Sequence, residues 1–290
     1  MDLDWQLDGG TWPLHESSRF VESGDVRWHV QQLGHGPALL LIHGTGASTH
    51  SWRQLAPLLA TRWTVFAFDL PGHAFTRGVP PQGLSLEAMS NAAGALLRQM
   101  KLQPVLVIGH SAGAAIAARM VFDRQCVPRA IVSLNGALLR VHSRYHLLFS
   151  PLAKLLSSNH MAAHLIAWKA RDRDAVEHLI ESTGSHLDQA GIDLYWRLLR
   201  SPQHVAGVLQ MMAQWRLDRL MQQLSLVPIP LLQLVGSQDR TVPPSAAWRV
   251  RELLPSAPIV SLPNLGHLAH EERAESVAHA VFEAADGWHV

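Results

Sequence analysis

The sequence predicts an α/β protein with a mostly parallel central sheet, helices on both faces of the sheet, and a helical block inserted between two strands. Short, nearly continuous runs of Val, Leu and Ile alternate with longer helix-like stretches, as expected for strands that are buried on both faces. The alternation stops once, over residues 137–224, where helix-like segments follow one another without a convincing strand. We therefore assign residues 1–136 and 225–290 to the core and residues 137–224 to a helical cap.

Each predicted element follows from the local pattern of apolar residues. The predicted strands are apolar runs at residues 27–32, 38–42, 64–68, 105–108, 130–134, 231–235 and 259–262. The predicted core helices are the longer stretches between those runs, at residues 51–60, 85–100, 112–123, 245–254 and 271–285. The predicted cap helices follow one another at residues 146–156, 161–168, 173–182, 187–199 and 205–224.

Length and composition limit the classes of function. A chain of 290 residues with 48% hydrophobic residues can form one large domain, or a core with an insertion. The 24 Lys and Arg residues nearly cancel the 23 Asp and Glu residues, so no overall field attracts a nucleic acid or an anionic membrane. The apolar runs are shorter than a membrane-spanning helix, and residues 1–16 lack a signal-peptide pattern. We therefore expect a cytoplasmic protein that neither spans a membrane nor binds nucleic acid.

The strongest chemical signal is the segment Gly109-His110-Ser111-Ala112-Gly113, which lies between a predicted strand and a predicted helix. Such a tight turn strains the serine backbone and lifts the hydroxyl clear of the sheet, and only very small residues fit two positions on either side. Small residues continue into the helix, whose positive N-terminal end then lies beneath the serine. The pattern predicts that Ser111 is a nucleophile.

A serine hydroxyl needs a base, usually a histidine that is oriented by a buried carboxylate. Asp239 follows the strand at 231–235 and His267 follows the strand at 259–262, so both lie at the carboxyl edge of the sheet. The chain order Ser, Asp, His is the order expected for this architecture. Asn135 follows another strand, but its amide carries no negative charge. We therefore predict a catalytic triad with Asp239 as the acid and His267 as the base.

Acyl transfer also needs N–H donors for the developing oxyanion. One candidate is the backbone amide of Ala112, directly after the nucleophile. The other is the amide of Thr45, in the loop His43-Gly44-Thr45-Gly46 that follows the strand at 38–42. Asp69 also ends a strand, but it precedes Ser111 and is out of triad order. We interpret Asp69 as a carboxylate that braces a loop.

Further segments extend these motifs, namely RWHVQQLGHGPALLLIHGTGASTHSW, GHSAGAAIAARM, LNGALL, STGSHLD, HVAGVLQMMAQW and LGHLAHEE. With them the chain resembles the α/β-hydrolase superfamily over residues 19–285 and, within it, the BchO family of magnesium-chelatase accessory proteins. The resemblance implies the α/β-hydrolase fold. It also implies a role in bacteriochlorophyll biosynthesis, near magnesium insertion into protoporphyrin in photosynthetic bacteria. Ala74 departs from the superfamily pattern, because relatives often carry Gly at this place in the loop after Asp69.

The cap supplies no member of the predicted triad, so we expect it to cover the pocket and to select the substrate. Its large apolar side chains could line a cavity for a flat macrocycle, although Trp and Met in helices more often serve packing. The candidates are Trp168, Trp196, Met211, Met212 and Trp215. The cap has 10 basic and 7 acidic residues, a net charge of +3 against −2 for the rest of the chain. This difference leaves open either a face for an acidic substrate or an ordinary solvated surface.

Two classes of function remain open. The leading hypothesis is a serine hydrolase that cleaves an ester, thioester or amide of a small molecule, with a porphyrin or its ester as one candidate substrate. The alternative is a non-catalytic porphyrin-binding protein or a partner of magnesium chelatase on the same scaffold. Dehalogenase or epoxide-hydrolase chemistry needs a carboxylate where Ser111 stands. The i, i+4 pairs His142/His146 and His160/His164 lack further ligands at metal-binding spacing, so we predict no metal site and no cofactor.

Overall fold

The computed structural model describes residues 2–140 and 160–290. Within them one eight-stranded sheet has the order β1-β2-β4-β3-β5-β6-β7-β8. Strand β2 is antiparallel to both of its neighbours, and all other neighbouring pairs are parallel. The strands are β1 Ser18–Ser23, β2 Val26–Leu33, β3 Ala38–Ile42, β4 Thr64–Phe68, β5 Leu106–His110, β6 Ala130–Leu134, β7 Leu231–Gly236 and β8 Ile259–Leu262. The mostly parallel α/β architecture predicted from the sequence is confirmed.

The seven predicted strands lie within two residues of their observed bounds, but strand β1 is missing from the sequence prediction. Strand β1 pairs with β2 at the edge of the sheet, with Glu22 opposite Arg27. None of its residues is fully buried, and it carries two charged side chains among its six residues. The apolar signal that marks a buried strand is therefore absent from it.

The α-helices of the described residues span Trp5–Asp8, Leu55–Leu59, Leu86–Gln99, Ala112–Phe122, His160–Lys169, Arg173–Ser182, Gln189–Leu199, Pro202–Gln214, Asp218–Gln223, Ser245–Leu253, Ala269–Glu272 and Ala274–Trp288. None of them is long and apolar enough to cross a membrane. Between β6 and β7 the described residues form helices and contain no strand. The predicted helix at 146–156 and the pair His142/His146 lie outside the described residues.

Three predicted helices are interrupted. The predicted helix at 51–60 is a 3₁₀ turn, Thr49–Trp52, followed by a short α-helix. The helix at 271–285 is divided at Arg273, which has ψ of 74°. The helix at 205–224 is divided at Trp215, whose ψ of 120° is extended rather than helical. In each case the apolar pattern continues across a break in the backbone, so periodicity alone does not reveal the break.

The sheet separates two hydrophobic cores, and β3 shows how. Leu40 and Ile42 point into the core that contains the helices Leu86–Gln99 and Ala112–Phe122. Leu39 and Leu41 point to the opposite face, against the helices Leu55–Leu59 and Ala274–Trp288. All four side chains are fully buried. A strand that is apolar on both faces therefore holds helices on both sides, and the loops that follow β3, β5, β7 and β8 collect at one edge of the sheet.

Candidate active site

Ser111 is the single residue between β5 and the helix Ala112–Phe122. Its φ of 52° and ψ of −118° are unusual for a residue with a side chain, and such strain concentrates at functional sites. Its N–H donates to the carbonyl of Leu134 at 3.0 Å, and its carbonyl accepts from the amides of Ala114 at 3.1 Å and Ala137 at 3.0 Å. These backbone bonds hold the strained turn in place.

The glycines on either side of Ser111 allow the turn to form. A Cβ at Gly109 would lie 2.4 Å from the carbonyl oxygen of Gly113. A Cβ at Gly113 would lie 2.0 Å from the carbonyl oxygen of Ile42 in β3. Both obstacles are backbone atoms that cannot rotate away. The helix can therefore approach the sheet this closely only if both positions lack a side chain.

We expect Gly113→Ala to lower the free energy of unfolding by about 3 kcal/mol, because the added methyl must push the helix away from β3. Gly287→Ala is the matched control, since a Cβ there meets no atom within 4 Å and Gly287 lies in a helix. Gly287→Ala should raise the free energy of unfolding by about 0.5 kcal/mol, because alanine favours the helix more than glycine does. Urea denaturation of both variants measures the difference, and equal midpoints would contradict the packing argument.

Asp239 and His267 come together at the carboxyl edge of the sheet. Nδ1 of His267 lies 2.8 Å from Oδ2 of Asp239, and both residues are buried. The other carboxylate oxygen accepts the backbone N–H groups of Thr241 and Val242, each at 2.8 Å. Because both oxygens have donors, the carboxylate is fixed in orientation and His267 carries its proton on Nδ1. Nε2 is then free to accept a proton.

The carbonyl of His267 is anchored beside the serine turn by two residues whose roles the sequence did not reveal. Nε2 of His110 lies 2.9 Å from this carbonyl, and Nδ2 of Asn135 donates to it at 2.8 Å. Asn135 also donates to the carbonyl of Gly266 at 2.7 Å and accepts from the amide of Gly236 at 2.8 Å. Asn135, set aside as a triad acid, thus connects the loops after β6, β7 and β8. Since His110 directly precedes Ser111, the bond from its ring places the loop of His267 against the serine turn.

The loop that carries Thr45, one of the two residues whose amides are predicted to form an oxyanion hole, packs against the turn that carries the other, Ala112. A Cβ at Gly44, next to Thr45, would lie 2.9 Å from Cβ of Ser111, so the loop after β3 packs directly against the serine. Within residues 2–140 and 160–290, the N–H groups of Thr45 and Ala112 donate to no other group. In those same residues Oγ of Ser111 makes no hydrogen bond with His267. Bonds of this kind are often long before a substrate binds.

The helix Pro202–Gln214, which lies in the predicted cap, reaches this site. Sδ of Met211 lies 3.8 Å from Oγ1 of Thr45. Nδ1 of His204 accepts the amide of Ala74 at 3.1 Å, and its Nε2 lies 3.2 Å from the carbonyl of Gly46. The cap helix is therefore tied to the two loops that follow β3 and β4.

The five apolar cap residues chosen from the sequence fall into different environments. Met211, Met212 and Trp215 are buried, and Met211 and Trp215 belong to the core beside the helix Ala112–Phe122. Nε1 of Trp196 donates to a backbone carbonyl at 3.2 Å, and its ring lies under the Arg200 guanidinium. Trp168 is 60% exposed, so its position does not fit the lining of an enclosed pocket. Met211 contacts the loop that carries Thr45, one of the predicted oxyanion donors.

Asp69 holds loops together, as its place in the chain suggests. Its carboxylate accepts the amides of Thr49 at 2.7 Å and Phe75 at 3.2 Å, and Oδ2 lies 2.8 Å from Nδ1 of His29. Nε2 of His29 in turn lies 3.0 Å from Oγ of Ser18, which makes a second serine–histidine–aspartate chain. Ser18 lies in the extended strand β1, without the strand-to-helix turn that supplies amide donors. We interpret this chain as a brace between β1, β2 and the loop after β4.

Comparisons with known proteins agree with this architecture. The pattern of the alpha/beta hydrolase fold family matches residues 37–274. The magnesium-chelatase 30 kDa subunit of Rhodobacter capsulatus is 34% identical over 278 residues, which cover 95% of this chain and 97% of that protein. The mouse sn-1-specific diacylglycerol lipase ABHD11 is 27% identical, and the match covers 84% of this chain and 80% of that protein.

Among solved structures, an alpha/beta hydrolase fold protein from Burkholderia ambifaria superposes with a TM-score of 0.74 at 24% identity. The superposition covers 92% of this chain and 99% of that one, and it supports the fold alone. The family pattern covers well over half of the chain, and the chelatase-subunit relative matches it almost from end to end. The chain therefore belongs to the α/β-hydrolase family, and it is similar over nearly its whole length to the magnesium-chelatase 30 kDa subunit of Rhodobacter capsulatus.

Proposed function

We propose that the protein is a serine hydrolase with Ser111 as nucleophile, His267 as base and Asp239 as the acid that orients the base. The observation that carries the proposal is the buried 2.8 Å contact between His267 and Asp239 on loops that converge on the strained Ser111 turn. A buried carboxylate that holds a histidine in one tautomer is the arrangement that activates serine. Ser111 stands where dehalogenases and epoxide hydrolases would need a carboxylate.

The proposed reaction follows from these positions. His267 Nε2 takes the Ser111 proton while Oγ attacks a carbonyl carbon, and the oxyanion that forms accepts the amides of Thr45 and Ala112. When the tetrahedral intermediate collapses, the protonated His267 gives its proton to the leaving group, and an acyl ester remains on Ser111. Water deprotonated by His267 then attacks this ester, the bond between the acyl carbon and Ser111 Oγ breaks, and His267 returns the proton to Ser111 Oγ as the acid leaves. Asp239 remains ionised throughout and stabilises the imidazolium.

The substrate that we propose is an ester, thioester or amide of a small molecule. The similarity to a magnesium-chelatase 30 kDa subunit supports an association with magnesium insertion in bacteriochlorophyll biosynthesis, with a porphyrin or its ester as substrate. The buried cap residues Met211, Met212 and Trp215 are the candidates that could contact such a ligand.

The same relative favours a second candidate function. Its name describes a subunit of a chelatase rather than a hydrolase. On this alternative the protein binds a porphyrin or magnesium chelatase without cleaving a bond, and the triad is not used. The two candidates differ in one respect that can be tested directly, namely whether Ser111 reacts as a nucleophile.

A fluorophosphonate probe tests this reactivity because it forms a covalent bond with an activated serine far faster than with an ordinary one. We expect the folded protein to be labelled at Ser111 and Ser111→Ala to remain unlabelled. Ser18→Ala is the matched control, since Ser18 also contacts a histidine that is paired with an aspartate, and it should keep full labelling. A folded wild-type protein that does not react would refute the hydrolase proposal and favour the binding function.

A further inference from the structure

One turn of the cap, residues 183–185, touches both loops that carry the proposed acid and base. The carbonyl of Thr183 accepts the N–H of Arg240 at 3.0 Å, and Arg240 directly follows the proposed acid. Oγ of Ser185 accepts the N–H of Leu268 at 2.7 Å, and Leu268 directly follows the proposed base. We call residues 183–185 the cap turn. It is bonded to the residue after each of two triad members.

The middle residue of the cap turn brings the backbones into direct contact. Gly184 has φ of +88°, and a Cβ on it would lie 2.0 Å from the carbonyl oxygen of Gln238. A Cβ on Gly266 would lie 2.2 Å from the carbonyl carbon of Gly184. Gln238 and Gly266 each directly precede a proposed triad residue. The backbone of the cap turn therefore lies directly against the backbones of both loops.

Two further bonds tie the cap to the helix Ala269–Glu272, which follows the base. The hydroxyl of Tyr195 donates to Oε1 of Glu271 at 2.7 Å. The N–H of His186 donates to Oε2 of Glu272 at 3.2 Å, while Oε1 of the same carboxylate accepts the N–H of Gly266 at 2.8 Å. After the base the chain is thus bonded directly to the cap, and before the base Gly266 is linked to the cap through the carboxylate of Glu272.

We infer that Ser185 is a positioning residue for His267, and that the cap sets the geometry of the base as well as covering the site. The inference rests on the proposed function only for its effect on rate. Ser185 is fully buried, and no other acceptor bonds the N–H of Leu268 within the described residues. Without the hydroxyl this buried N–H loses its partner and the loop shifts to regain one. Even a small displacement of a catalytic group lowers the turnover number strongly, while substrate binding is retained.

Ser185→Ala should lower kcat for a p-nitrophenyl ester about tenfold and leave KM unchanged. Here kcat is calculated per active site, and the active sites are counted by titration with the fluorophosphonate. Ser185→Thr, which keeps the hydroxyl, should restore most of the rate. Ser90→Ala is the matched control, since Ser90 is equally buried but its hydroxyl has no partner in the described structure. It should keep the wild-type kcat. If Ser185→Ala does not fold, Ser185→Cys keeps the volume and replaces the oxygen by a poor acceptor.

A proton NMR measurement separates this inference from the hydrolase proposal. The Nδ1–H of His267, bonded to Asp239, should give a low-field resonance, and the loss of that resonance in His267→Gln would assign it. In Ser185→Ala that resonance should broaden through faster exchange, whether or not the protein cleaves esters. An unchanged resonance together with unchanged kcat would overturn the positioning role. A loss of activity that only follows the fraction of unfolded protein would overturn it as well.

Discussion

Asp239→Asn should lower kcat/KM for an ester substrate by about 10⁴-fold while the fold is kept. Asparagine can retain the amides of Thr241 and Val242 as donors to its single carbonyl oxygen, since both bond the same carboxylate oxygen now. Its NH₂ group then faces Nδ1 of His267, in place of the oxygen at 2.8 Å. Two donors cannot share that contact, so the imidazole must carry its proton on Nε2 instead. In that tautomer it cannot accept the proton of Ser111.

Steady-state kinetics and thermal unfolding of the same sample measure this effect. Asp193→Asn is the control, because it removes an acidic charge from a half-exposed ion pair with Arg173 on the cap surface. It should leave both activity and stability nearly unchanged. If Asp239→Asn kept more than a tenth of the wild-type rate, the role of Asp239 as the orienting acid would be wrong, whatever its effect on stability.

The sequence predicted the parts of the molecule that have a local signal. Apolar runs such as 38–42 mark buried strands, and residues that follow such runs must gather at one edge of a parallel sheet, which is how Asp239 and His267 could be chosen. The supporting residues have no such signal. Asn135 and Ser185 act through backbone groups that lie far from them in the chain, and only the folded arrangement brings these groups together. Local pattern therefore indicates the candidate chemistry but not the contacts that hold it in place.

Acid should destabilise the protein well before its carboxylates titrate. Burial lowers the pKa of a set of histidines, because a charged imidazolium is poorly solvated inside the protein. The set comprises His43, His50, His73, His110, His204 and His270. For His204 burial lowers the pKa to about 4. These residues are neutral in the folded state at neutral pH.

The hydrogen bonds of two of these histidines also favour the neutral ring in the folded state, whatever the effect of burial. Nδ1 of His204 accepts the amide of Ala74, so the proton lies on Nε2 and points to the carbonyl of Gly46. Nε2 of His43 likewise accepts the amide of Leu70, and its Nδ1–H points to a backbone carbonyl. A second proton on either ring would meet an N–H group instead of an acceptor. Protonation must therefore break the bonds that hold the loops after β3 and β4.

The direction of the pH effect follows from proton binding. As the pH falls through 6.5, each of these histidines takes up a proton more readily in the unfolded chain than in the folded one, so the free energy of unfolding falls as the pH falls. For His204 this continues down to about pH 4, its pKa in the folded state. For His204 this costs about 1 kcal/mol between pH 7.5 and 5.5, and the other five histidines act in the same direction. Burial raises the pKa of Glu271, so the folded state binds this proton more readily than the unfolded chain does. This one group therefore raises the free energy of unfolding as the pH falls, whereas the six histidines lower it.

Urea unfolding at pH 7.5, 6.5 and 5.5 should therefore show a free energy of unfolding that falls at each step, by at least about 1 kcal/mol over the whole range. His204→Gln can keep one donor and one acceptor without titrating, so it should reduce the proton uptake on unfolding by about one. His15→Gln, at an exposed position, is the matched control. A urea midpoint that does not move over this range would contradict the burial of neutral histidines. Of the 18 histidines, then, one belongs to the proposed reaction, and a buried group of six sets the pH range in which the loops around that reaction keep their geometry.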